Sequence, residues 1–123
     1  MRTARENVLI NGLFDWVSLS RIHSDVMEEN REAPVTQLQS QVLALIHSLL
    51  SEGLFEVGNV TRTEGFVRWT TPVEESLRRI HDIYVTGYDD KDRWLWGCWL
   101  ELTEKGQRVA QSVENTTSDD PLG

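Results

Sequence analysis

With 123 residues, 39% hydrophobic and 26% charged, the chain is long enough for one domain with a real core and too short for two comfortable ones. Twelve Lys and Arg against twenty Asp and Glu give a net charge of −8, which on average repels nucleic acid and membrane surfaces and attracts a basic partner. A single cysteine, Cys98, excludes an internal disulfide and sits in an apolar run, as a small core residue would. No segment approaches a membrane span, and no apolar run of signal-peptide length follows MRTAREN, so a cytoplasmic compartment is expected.

In chain order, a first helix is predicted from about Thr3 to Leu13, with Val8, Leu9 and Leu13 on its apolar side and Asn11-Gly12 near its end. A short extended piece, Asp15–Ser18, leads to a second helix from about Ser20 to Asn30, whose buried stripe is Ile22, Val26 and Met27. Pro34 breaks the chain. Thr36 and Gln39 then have the spacing of a capping box, and Leu38, Val42, Leu45 and Leu49 recur at helical intervals up to Gly53, a left-handed cap followed by apolar Leu54. Leu54–Val60 reads as a strand, Glu64-Gly65 as a turn and the residues after it as a second short strand. Thr71–Glu74 is a second capping-box pattern, with Pro72 at the first helical position. Its helix carries Val73, Leu77, Ile80 and Tyr84 and stops at Gly87. Glu74 and Glu75 stand four residues before Arg78 and Arg79, the spacing of helical ion pairs. The loop YDDKD leads into RWLWGCWLELT, predicted as one strand with Trp94, Trp96, Cys98, Leu100 and Leu102 on one face and Trp99 on the other. Thr103 caps a final helix to about Val113, and residues 115–123 are polar enough to be a disordered tail after a domain spanning 1–114.

The run VTQLQSQVLALIHSLLSEGLFEVG resembles the third helix and first wing strand of bacterial winged-helix proteins, and WLELTEKGQRVA resembles their second wing strand and following helix. The whole chain resembles small actinobacterial proteins of this kind. The resemblance implies an α+β fold, a winged helix-turn-helix with a helical insertion in the wing over roughly residues 5–113. It also implies DNA binding, with Gln37, Ser40, Gln41, Ala44 and Ser48 facing a groove and Arg62 and Arg68 at the wing tip. Glutamine can read adenine through a bidentate pair, which suits Gln37 and Gln41.

Charge points elsewhere. From Ala33 to Thr61 there is no lysine or arginine, and the preceding turn holds Glu28, Glu29 and Glu32 against Arg31. DNA binders draw most of their affinity from neutralising phosphates, and these carboxylates would oppose a phosphate backbone. The small, neutral strip Gln37, Ser40, Gln41, Ala44 and Ser48 suits close packing against a protein, including a second copy of the chain. His23, His47 and His81 have no metal-ligand spacing, the acidic loop 89–92 lacks the alternating pattern of a calcium loop, and no nucleophile elbow or phosphate loop is present. The expectation is therefore a non-enzymatic, cofactor-free and metal-free protein-binding module, an inhibitor, immunity-type protein or adaptor for a basic partner. Its contact residues would be Glu28, Glu29, Glu32, Gln37, Gln41, Asp89, Asp90, Asp92 and Trp99. The alternative is a DNA-binding transcriptional regulator using Gln37, Ser40, Gln41, Arg62 and Arg68.

Overall fold

Thr3 is the residue that starts the fold. Its hydroxyl accepts the Glu6 amide and Glu6 returns a bond to the Thr3 amide, a complete capping box that opens helix α1, Ala4–Gly12. The computed structural model describes residues 2–118. After α1 come strand β1 (Val17–Ser18), helix α2 (Leu19–Glu29) and helix α3 (Val35–Ser51). Strands β2 (Phe55–Thr61) and β3 (Gly65–Arg68), helix α4 (Val73–His81) and a π-helical turn at Asp82–Thr86 follow. The short helix α5 (Lys91–Trp94), strand β4 (Trp99–Leu102) and helix α6 (Glu104–Ser118) complete the described chain.

The four described strands form one antiparallel sheet in the order β1-β4-β2-β3. The period-2 alternation of strands divides the sheet residues. Val17, Phe55, Val57 and Leu100 are buried beneath the helices, together with Val8, Leu19, Ile22, Val42, Ile46 and Leu49. The opposite face carries Glu56 and Glu101, which the register places directly across from each other, and Trp99 opposite Gly58. The fold is α+β.

Gly53 ends α3 as expected. At φ +72° it lets its own amide reach the Leu50 carbonyl and the Leu54 amide reach Leu49, the double bond of a Schellman cap. Gly65, at φ +70°, closes the β2–β3 turn. Thr103 caps α6 by accepting the Gly106 amide at 3.0 Å.

Several expected details differ. Both predicted capping boxes fail. Pro34 and Pro72 are themselves the N-caps of α3 and α4, with no side-chain cap bond. Gln39 is drawn into the core, where its amide donates to the Tyr84 carbonyl at 3.2 Å, and Thr71 pairs with the Ser76 hydroxyl at 2.7 Å. Met27 is exposed rather than part of the α2 stripe; Asp25 takes the buried position beside Val26. The predicted strand from Arg93 begins only at Trp99, because Trp94 belongs to α5 and donates its indole N–H to the Tyr88 carbonyl at 2.8 Å. Trp94 is still buried, but Trp96 is 58% exposed. The final helix runs on to Ser118, so the expected disordered segment starts as helix; residues 119–123 lie outside the described residues.

Candidate functional site

α3 packs against α2 and α4 and is tied to α1 through Arg5, and that placement decides which of its residues are free. Leu38, Val42, Ile46 and Leu49 turn inward. Gln37, Ser40, Ala44 and His47 face solvent, whereas Gln41 and Ser48 are half-buried. Gln41 lines a depression with Arg5, Val26 and Leu45 and so leans toward α1. Ser48 accepts from Arg5 at 3.0 Å and donates to Glu52 at 2.5 Å. Arg5 also grips both Glu52 carboxylate oxygens at 3.0 Å, a bidentate pair that, with the Ser48 hydroxyl, holds Glu52 below its ordinary carboxylate value.

On the other side of the strip, α4 forms an open groove with α3 of about 660 Å³. Leu43, Ala44 and Leu77 line it together with Glu74, Arg78 and His81. Glu74 lies 3.2 Å from the His47 ring nitrogen. The expected helical pairs of Glu74 with Arg78 and Glu75 with Arg79 are not among the ion pairs of the described residues; Arg79 instead stacks 3.9 Å over the Trp69 ring. Arg5 is thus paired with Glu52, whereas Arg78 lines the groove together with Glu74, whose carboxylate lies against His47.

The expected wing-tip cations separate. Arg62 is exposed in the β2–β3 turn. Arg68 lies at the far end of β3, opposite Gly58, with its guanidinium 3.8 Å from Glu56.

The acidic turn is drawn together. Glu28, Glu29, Glu32 and Gln37 line one shallow depression of about 610 Å³. Its carboxylates are not equivalent. Glu28 pairs with Arg31 at 2.7 Å. Glu29 accepts the Ala4 amide and so satisfies an orphan donor at the start of α1, a structural duty invisible in local spacing. Asp89, Asp90 and Asp92 are exposed between Tyr88 and Trp94, whose rings stack at 5.2 Å. Both rings join His23 and Tyr84 in an aromatic cluster against the N-terminal half of α2, whereas Glu28 and Glu29 lie at its C-terminal end. The two acidic groups are therefore held by different parts of α2.

Trp99 is half-buried on the outer sheet face, where Trp96 stacks on it with ring centroids 5.7 Å apart. Sequence periodicity puts Trp96 in the core and Phe14 on the apolar side of the first helix, and gives Trp16 and Phe66 no role. In the fold, the Trp16 and Phe66 rings stack at 6.3 Å, and Trp16 donates its indole N–H to Glu101 at 3.4 Å. Phe14 is 76% exposed. The only sequence signal for this surface was the number of tryptophans.

Cys98 is fully buried, and burial pushes its thiol up to about 12, so it carries no thiolate near neutral pH. Among the described residues no group of three or more His, Cys, Asp or Glu could hold a metal, and no helix is long and apolar enough to cross a membrane. No protein-family model, curated protein or solved structure matches this chain.

Proposed function

We propose that the chain is a non-enzymatic winged helix-turn-helix protein whose wing carries a helical insertion, and that it acts by binding a basic protein. The winged-helix reading rests on strand pairing. β1 pairs with β4 and β4 with β2, so α1, β1, α2, α3, β2 and β4 follow the helix and wing order, with residues 62–98 inserted between the wing strands. In this reading the inserted α4 flanks the helix that would otherwise enter a DNA groove.

The observation that carries the function is electrostatic. The exposed strip Gln37, Ser40 and Ala44 carries no cation of its own, Arg5 beside it is paired with Glu52, and the neighbouring groove sets the carboxylate of Glu74 alongside Arg78. A duplex would gain little counterion release there and would meet the carboxylates of the α2–α3 turn. A basic protein would be attracted by the same surface, with steering that weakens as salt rises.

Two measurements test the reading. Gel retardation at low salt is expected to show no complex with duplex DNA; retardation that Arg62→Ala or Gln37→Ala abolishes overturns the proposal in favour of a DNA-binding regulator. Affinity purification from the native host, with protein and nucleic acid both identified, is expected to return a basic protein whose association slows with salt and with Glu28→Lys/Glu32→Lys.

A further inference from the structure

The outer sheet face continues into a pocket at the end of α1. Phe14, Asp15, Trp16, Glu101, Leu102 and Gln107 line it, around a volume of about 370 Å³. Two aromatic rings and two carboxylates therefore border one cavity, and no lysine or arginine lines it. Asp15 accepts the Trp16 backbone amide at 2.7 Å, and Glu101 receives only the long 3.4 Å bond from the Trp16 indole. Neither carboxylate has an ion pair among the described residues.

The sheet register sharpens the point. Glu101 stands directly opposite Glu56, a like-charge pair that costs stability unless a cation lies near. Arg68 approaches Glu56 at 3.8 Å, so Glu56 has a partial remedy and Glu101 has none. Beside this pair Trp96 is 58% exposed and braced by Trp99, and Phe14 is 76% exposed. Exposed aromatic rings beside an unmatched carboxylate form the chemistry of a cation receptor: the ring faces attract a guanidinium or ammonium and the carboxylate neutralises it. A second copy of the chain fits poorly, because a two-fold contact through this face would set Glu56 and Glu101 of both copies against one another.

We propose that this pocket receives an arginine or lysine side chain from a basic segment of the partner protein, with Trp96 and Trp99 packing the segment's neighbouring residues. The inference rests on the reading of the chain as a binder of basic protein and assigns it a surface other than the acidic α2–α3 turn.

The test uses the whole chain, 15N-labelled, titrated with a synthetic peptide of alternating arginine and glycine while the tryptophan indole signals are followed. The Trp16 and Trp96 indole signals are expected to shift with saturation. Glu101→Gln is expected to weaken binding about fivefold or more, and Phe14→Ala by about threefold. Glu75→Gln, which removes an exposed carboxylate elsewhere, should leave affinity unchanged. Because Glu101→Gln also relieves the clash with Glu56, its Tm should equal or exceed that of the parent, which separates lost binding from lost folding. An equal effect from Glu75→Gln would mean attraction by net charge alone and overturns the pocket. Shifts confined to the Glu28–Gln37 depression overturn the pocket and leave the protein-binding reading standing. Indole signals that move only with protein concentration place a second copy on this face and overturn it as well. No response to the peptide, together with duplex-induced shifts at Gln37 and Ser40, overturns both.

Discussion

Gly106 gives the LTEKG run its physical meaning. A Cβ at this position would stand 1.9 Å from the Leu54 carbonyl oxygen, which already accepts the Thr103 amide at 3.0 Å. The first turn of α6 thus lies against the corner leaving α3, and only glycine allows the approach. Gly106→Ala should cost ~3 kcal/mol or more in denaturant unfolding, because backbone must move. Gly53→Ala should cost only ~1 kcal/mol, since φ +72° is strained for alanine but its Cβ would meet nothing within 4 Å. His23 supplies a pH signature. Its Nδ1 sits 2.6 Å from the Tyr84 hydroxyl, and burial lowers the imidazole below its usual 6.5. The unfolded chain therefore takes up a proton before the folded one as pH falls, so stability is flat above pH 6.5 and drops as pH falls from 6.5 toward the folded value. Asp25, raised by burial, acts oppositely and from a lower starting point: its contribution is whole below 3.8 and is lost as pH rises through its folded value. Denaturant midpoints at pH 7.5 and 5.5 should differ in the parent and differ less in His23→Gln.

Among the elements, α3 was legible because its apolar spacing and its glycine stop are both local signals. The strands β2 and β3 were legible for the same reason, as was the Thr103 cap. The segment 88–102 was not. Its alternating tryptophans fit a long strand, but the Tyr88 carbonyl takes the Trp94 indole, and Gly97 packs where a Cβ would meet Ile83 at 2.5 Å. Those contacts come from the preceding π-helical turn and from the turn that follows it, and leave no trace in period-2 counting. The capping boxes failed for a related reason: Gln39 has a better partner in the distant Tyr84 carbonyl than in its own helix end. That bond ties α3 to the insertion. Gln39→Ala should cost ~1–3 kcal/mol, by orphaning a buried carbonyl and opening space, as measured by chemical unfolding. The candidate site divides in the same way. The α2–α3 turn was readable from composition, whereas the grouping of Phe14, Trp16 and Glu101 exists only once β1 pairs with β4.

At the scale of the molecule, a net charge of −8 is spread over several surfaces. Helices cover one sheet face, the insertion borders α3, and the remaining sheet face exposes aromatic rings beside carboxylates. In the proposed reading, the whole surface favours cationic partners by steering, and the pocket by Trp16 would supply contact chemistry for one of their side chains. Steering and contact separate kinetically: raising salt should slow association mainly, whereas Phe14→Ala should speed dissociation mainly, in surface-binding kinetics with the basic partner or the arginine peptide. The most direct measurement is a parallel titration of the labelled chain at low salt with random-sequence duplex DNA and with the arginine peptide, read by fluorescence anisotropy. The peptide should bind, with affinity reduced by Glu101→Gln, and the duplex should not. Saturable duplex binding that depends on Gln37 and Ser40, with no response to the peptide, would contradict it.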